Sequence, residues 1–284
     1  MASVLTSTTI RDAAPRRPVR ARLVPATVVV AALVLLVVTT WAIAPGLFTS
    51  ADPVVGDTAE KLMPPSAAHW FGTDNLGRDV FARVVYGTRS SVVSALVAVF
   101  IAVVIGGLLG LVAGFFGGIV DVVTARVIDV LLAIPSFLLA VVVVSSLGFQ
   151  TINAAVATGI SAVAVFARVM RSEAVKVRST VFVEAARLQG GSRAYVLLAH
   201  VLPNASRSVL SLAVLQFGVS ILVIAGLAFL GYGDPPPASD WGLLVSAGKD
   251  YLVSSPWLVY APSAVIVATV LSINRVSRWL RAKD

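Results

Sequence analysis

Charged side chains are missing from five long stretches of this chain: residues 23–51, 90–120, 130–167, 208–233 and 251–274 hold no Asp, Glu, Lys or Arg. Crossing the hydrocarbon of a bilayer takes about 20 apolar residues in a helix, because the backbone there must satisfy its own hydrogen bonds. Four stretches therefore predict one spanning helix each. The third is long enough for two, with Gly148-Phe149-Gln150-Thr151 as the turn between them. The expectation is an all-α integral membrane protein with six spans, at about 23–44, 92–113, 130–147, 152–170, 208–230 and 257–274. A basic segment, 1–22, precedes the 23–284 membrane domain, and a loop over 168–207 interrupts it.

Basic residues orient the bundle. With the N-terminus inside, 17 Lys and Arg fall on the cytoplasmic side, among them Arg11, Arg16, Arg17, Arg20 and Arg22, seven in the 168–207 loop, and Lys283. Only Lys61, Arg78, Arg83, Arg89 and Lys249 fall outside. The asymmetry predicts a multi-pass protein of the cell membrane with both termini cytoplasmic. Ala42-Ile43-Ala44 resembles a signal-peptide cleavage site, but the apolar run before it exceeds a signal core and Pro45 follows it, so the first span is expected to be retained.

Composition agrees with this picture. The chain is 58% hydrophobic and 13% charged, which excludes disorder, and it has no Cys for a disulfide scaffold, a thiolate metal site or thiol catalysis. Its net charge of +8 is explained by the inside loops, so no nucleic-acid partner is expected and membrane lipid is.

Candidate chemistry is sparse. His69 and His200 are predicted on opposite sides of the membrane and so cannot share a metal. Gly248-Lys249 is followed by Asp250 where a P-loop needs Ser or Thr. Asp121, Ala125-Arg126 and Asp129 echo a lipid phospho-alcohol transferase motif, but two acids fall short of its metal set. No span carries an ionisable group of the kind a self-powered transporter uses at membrane depth, so the energy source is expected in another chain. Within the spans, Gly106, Gly110 and Gly114 predict a close helix crossing, Pro135 a kink, and Gln216 with Ser220 a candidate pore-lining pair or an interhelical hydrogen bond.

The 168–207 loop is too long to be a mere connection. It contains Glu184-Ala185-Ala186, then Gly190, then Leu202-Pro203, with a first helix expected to end at Gly190-Gly191 and a second, over Arg193 to Val201, to stop before Pro203. This pattern resembles the EAA motif of permease subunits of ATP-binding-cassette importers, and His200 to Asn204 resembles the peptide-permease version. Three further segments strengthen the resemblance to the C-type subunit of dipeptide and oligopeptide permeases. They are His69 to Asp79, carrying Gly72, Thr73, Asp74, Gly77, Arg78 and Asp79; Gly114 to Ser136; and Phe229 to Gly242, where Asp240 replaces the family's Glu. The short basic tail after Asn274 departs from the family pattern.

The resemblance implies a type I importer permease that forms half a pore with a sister permease. Two ATPase domains would bind ATP and Mg, and an extracellular binding protein would deliver dipeptides or oligopeptides. It implies no catalytic residue, cofactor or metal in this chain, and it assigns ATPase coupling to Glu184, Ala185, Ala186, Gly190, Leu202 and Pro203. Nickel and glutathione importers share these signatures. A membrane enzyme and a self-powered transporter are the readings from other classes.

Overall fold

Helix α1, Ala26–Ile43, begins at Pro25, whose fixed φ of −59° suits a helix start, and it is apolar all round. Only Val28, Ala31, Val38 and Trp41 are buried, a stripe that packs along the last helix and leaves the rest of α1 to face lipid. The computed structural model describes residues 25–281. Arg11, Arg16, Arg17, Arg20, Arg22 and Lys283, used in the charge count, lie outside the described residues, as does the whole 1–22 segment.

Eight helices follow: α2 (Val80–Phe116), α3 (Gly118–Ala133), α4 (Ser136–Leu147), α5 (Thr151–Arg178), α6 (Val181–Leu188), α7 (Arg193–Tyr232), α8 (Trp241–Gly248) and α9 (Trp257–Arg281). Among the described residues five of these, α1, α2, α5, α7 and α9, are long and apolar enough to cross a membrane. The pair α3 and α4, bent by 92°, passes the same test only when taken together, which makes the count six if the pair is one broken span and five if it is a re-entrant loop. No strand longer than the isolated Thr73 to Asp79 bridge occurs among the described residues.

The boundaries differ from the sequence expectations for identifiable reasons. Helix α2 starts 12 residues before the expected span at 92, because the Asp79 carboxylate caps it by accepting from the Ala82 N–H at 2.7 Å, and nothing breaks it before the apolar run. The expected 130–147 span is not one helix: Ile134 and Pro135 are extended, with ψ of 127° and 125°, so Pro135 separates α3 from α4 rather than kinking a continuous span.

The 168–207 loop contracts to a short insertion between two long helices. α5 continues to Arg178, and α7 begins at Arg193 and passes through Pro203 instead of stopping before it. A π-helical turn over Val196–Val201 precedes Leu202-Pro203, and Asn204 Nδ2 donates to the His200 carbonyl at 2.6 Å, so the missing proline N–H is absorbed by a locally widened turn.

At the centre lies α5, whose inner faces are mostly small: Ala154, Ala155, Ala157, Thr158, Ala162, Ala164, Ala167 and Ala174 are buried. Against it α2 approaches through its glycine row. A Cβ on Gly106, Gly110 or Gly114 would lie 2.5, 2.3 or 2.6 Å from the carbonyl oxygens of Val163, Ala167 and Arg171 respectively, so the two backbones are in direct contact along two turns. Helices α7, α3 and α4 surround the rest of α5. Two ion pairs tie α3 to it: Arg171 holds Asp121 through two bonds of 2.5 and 2.8 Å, and Arg168 holds Asp129 at 2.6 Å. Those acids, the pair that echoed a metal-dependent transferase, are thus each engaged by an arginine.

Candidate functional site

Two clusters of sequence-selected residues sit at opposite ends of the long helices. The first surrounds α6. This helix is amphipathic in a minimal way: Val183 is fully buried and joins the core formed with Val177, Val196, Val201 and Ala205, while Val181, Phe182, Glu184, Ala185 and Leu188 are exposed. Its exit is tightly specified. Gly190 has φ +86°, its N–H donates to Arg187 O at 3.0 Å, and the Gly191 N–H reaches back to Ala186 O at 3.1 Å, closing the helix end in the manner of a glycine C-cap. Ser192 then caps α7 by accepting from the Tyr195 N–H at 3.2 Å.

The structure places Glu184, Ala185 and Ala186 on this one short helix and Gly190 in the turn just past its end. Leu202 lies on α7, partly buried against the same core, and Pro203 is exposed beyond it. The Glu184 backbone N–H donates to Thr180 O at 3.1 Å, but its carboxylate has no hydrogen bond or ion pair among the described residues, although Arg187 and Arg178 are close in sequence. Val181 and Leu188 are 81% and 83% exposed, an unusual display of apolar surface on an element beyond the spanning helices. Open cavities flank α6 on both sides. One of about 390 Å³ is lined by Phe182, Ala185, Ala186, Gln189, Tyr195 and His200. The His200 ring stands edge-on to Tyr195 at 5.4 Å and to Phe182 at 6.3 Å, linking α6 to α7. The other, of about 420 Å³, is lined by arginines and phenylalanines.

The second cluster precedes α2, and its signature residues are largely internal. Asp74 accepts from the N–H groups of Leu76 and Arg78 at 2.8 and 3.0 Å and from Arg78 Nε at 2.7 Å, and Arg83 approaches it at 3.8 Å. The Thr73 hydroxyl donates to Glu60 O and accepts from the Met63 N–H. Gly72 and Gly77 have φ of +73° and +75°, and a Cβ on Gly77 would strike Asp57 O at 1.7 Å. Asp79 caps α2 with one oxygen and receives His69 Nδ1 at 2.8 Å with the other, while His69 Nε2 faces Glu60 at 3.3 Å. Thr73, Asp74, Arg78 and Arg83 are buried, so this segment braces the start of α2 and leaves only residues such as Trp70 and Leu76 on the surface.

The Phe229 to Gly242 segment completes the brace. Arg83 donates to Pro53 O at 3.2 Å and to Ala238 O at 3.0 Å, and Trp241, fully buried, donates through Nε1 to Val84 O at 3.2 Å. Asp240 caps α8 by accepting from the Gly242 and Leu243 N–H groups. Burial pushes its carboxyl above the usual value of 3.8, helped by the nearby charge of Asp234, against the pull of those N–H bonds and the Thr151 hydroxyl. Sequence reasoning did not single out Arg83, Thr151 or Trp241 as parts of one network. The available signal was the clustering of Asp-Trp-Gly with the Gly87 contact to Ser239 O, and it is legible only once α8 is seen docked on α2.

Gln216 and Ser220 lie on α7, four residues apart. Ser220 is fully buried with no partner for its hydroxyl among the described residues, so it does not open onto a surface of this chain, and Gln216 is half-buried. Among the described residues no group of three or more His, Cys, Asp or Glu is arranged to hold a metal ion.

Residues 106–283 match the family model described as "Binding-protein-dependent transport system inner membrane component". The chain is 38% identical to the dipeptide transport system permease protein DppC of Alkalihalophilus pseudofirmus, over 83% of this chain and 77% of that one. It is 38% identical to the probable D,D-dipeptide transport system permease protein DdpC of Escherichia coli, over 90% and 86%. To the glutathione transport system permease protein GsiD of Pectobacterium atrosepticum it is 34% identical, over 84% and 85%. Among solved structures, the MetNI methionine ABC transporter in inward-facing conformations aligns with TM-score 0.57 and 18% identity, over 70% of this chain and 95% of that one.

Proposed function

This chain belongs to the binding-protein-dependent transport system inner membrane components, the permease subunits of ATP-binding-cassette importers with the type I fold, and from that premise we propose that it serves a dipeptide or oligopeptide importer. It forms half of the translocation pore beside a sister permease, takes substrate from an extracellular binding protein, and is driven by two separate ATPase domains that hold ATP and Mg. In this reading both termini and α6 face the cytoplasm and the Gly72 to Arg89 segment faces out, an orientation that the excess of basic residues on the inner side favours.

The observation that carries the coupling role is the state of α6. A helix of eight residues anchored by one buried valine, with an unpaired Glu184 carboxylate and three exposed large apolar side chains, is incomplete as a surface and complete as half of an interface. Glu184 pairs with a cation of the ATPase, Ala185 and Ala186 let its surface come close, and the Gly190 turn, with Leu202 and Pro203 about three turns into α7, passes the displacement to the long helices as a rigid-body movement. The residues Gly72, Thr73, Asp74, Gly77, Arg78 and Asp79 act as a fixed outer brace. Gln216 and Ser220 are candidates for the pore wall in a conformation that exposes them.

A second substrate reading, glutathione, is favoured by the GsiD relatives. Reconstitution of the four-part transporter with its binding protein in proteoliposomes, comparing ATP-dependent uptake of labelled dipeptide, oligopeptide, nickel and glutathione, decides among them. Uptake of glutathione or nickel alone would remove the peptide assignment.

A further inference from the structure

The second cavity beside α6 holds about 420 Å³ and is lined by Phe115, Phe116, Arg178, Arg187, Gly191 and Arg193, with no acidic side chain in its wall. Its arginines are only lightly engaged. Arg178 Nη1 donates to Phe115 O at 3.0 Å, at the C-terminal end of α2, and lies where a Cβ on Gly117 would touch it at 2.8 Å. Arg187 sits over the Phe115 ring at 5.6 Å, and Arg193 has no partner among the described residues. Asp121 and Asp129 are hydrogen-bonded to Arg171 and Arg168, with Arg178 also within electrostatic reach of Asp121, but none of Asp121, Asp129, Glu173 or Glu184 lines the cavity itself. Three guanidiniums converging on one cavity repel one another unless an anion sits between them, and their forked N–H groups match phosphate oxygens.

One wall of the cavity continues into exposed apolar surface. Leu108, Val112 and Phe116 are 58%, 40% and 50% exposed along α2, and Ile119, just past the Gly117-Gly118 turn, is 82% exposed. We propose that this cavity binds the phosphate of an anionic phospholipid, with the acyl chains lying along Leu108, Val112 and Phe116. Charge complementarity supplies the head-group contact and the adjoining apolar strip selects a lipid over a free anion. The transport reading enters only in naming the leaflet, which is the cytoplasmic one.

The assembled transporter, placed in neutral phosphatidylcholine nanodiscs with a trace of photoactivatable phosphatidylglycerol, tests this. Crosslinks are expected on peptides containing Phe115 to Gly117 or Gly191 to Arg193. The double change Arg178→Gln with Arg193→Gln should weaken labelling about thirtyfold, at roughly fivefold per basic residue near an anionic head group. Arg178→Lys with Arg193→Lys should keep most of it, and co-purification of the partner subunits reports folding for both. Equal labelling by a photoactivatable phosphatidylcholine would overturn the proposal. So would displacement by inorganic phosphate, which would assign the site to a free anion, or protection by the ATPase subunits, which would assign it to a protein carboxylate. Because nanodiscs expose both leaflets to the probe, an error in the sidedness leaves this outcome unchanged.

Discussion

Gly107 and Gly110 are neighbours on one turn of α2, and replacing each by alanine should have opposite effects. A methyl group on Gly110 would lie 2.3 Å from Ala167 O, 2.8 Å from Arg171 N and 2.9 Å from Met170 Cβ, whereas on Gly107 it meets only the flexible end of Met170 at 3.8 Å. Real Cβ atoms essentially never come within 3.0 Å of such atoms, so α2 and α5 must part by at least 0.7 Å at Gly110. Because Gly106 and Gly114 rest on the same helix through Val163 and Arg171, that parting opens all three crossings at once. A gap of that size forfeits a quarter to a half of the dispersion energy of the atoms involved, and overpacking of this kind costs about 1–3 kcal/mol. Both substitutions share the gain in helix propensity of about 1 kcal/mol, so their difference isolates the packing term. At about 2–4 °C per kcal/mol, Gly110→Ala should melt several degrees below Gly107→Ala in the same detergent at the same scan rate. Equal melting points for the two variants would show that α2 and α5 do not touch through this row.

Glu184→Lys should abolish ATP-driven uptake while leaving membrane insertion intact, since it turns an attractive contact into a repulsive one and disruption of a buried interfacial charge pair costs about 2–5 kcal/mol; normal ATPase co-purification together with normal transport would remove Glu184 from the interface. For sidedness, cysteines at Ala67 and Leu188, both exposed, should react with an impermeant reagent from opposite faces of the membrane, outside and inside respectively, and labelling of both in intact cells would reverse the assignment. Asp240 binds its proton more tightly folded than unfolded, so its charge weighs against the folded state above the raised folded value, and that penalty is relieved as pH falls towards 3.8. Asp240→Asn keeps an N-cap on α8 and removes the titration, so the variant should be at least as stable as the parent at pH 7 and lose the advantage as pH falls to 3.8; parallel melting profiles of the two proteins from pH 7 to below pH 3.8 would contradict the buried charge.

How much of this was legible beforehand follows from what each signal measures. A gap in charge reports the thickness of hydrocarbon and so located the membrane-crossing core of each helix, but a helix ends where a cap or a breaker ends it. Asp79 and the widened turn before Pro203 therefore extended α2 and α7 well past the apolar runs, into segments that charge and proline had marked as loop. The glycine row was readable because a four-residue period of the smallest side chain has one common physical use. By contrast, the Thr73 to Arg83 network was readable only as a string of polar residues. Its burial depends on α8 and the 231–240 segment arriving from 150 positions later, as in the bond from the Trp241 N–H to Ser91 Oγ, and no local pattern announces that arrival.

The contrast between the two ends argues for which of them moves. Before α2, the chain is held by buried ion pairs, positive-φ glycines in contact with backbone, and long-range bonds from Arg83 and Trp241, so displacing any one residue breaks several contacts together. Around α6, one buried valine and a glycine turn do the anchoring, with open cavities on both sides. A push on α6 meets little local resistance until it reaches Arg178 and Ser192, the ends of α5 and α7, which are long, packed and continuous to the far side. Loosely held elements deform at low cost while interlocked ones move as units. Under the coupling role proposed for Glu184, force applied there would be converted into tilting of α5 and α7 against the interlocked segment before α2, which would act as the fulcrum.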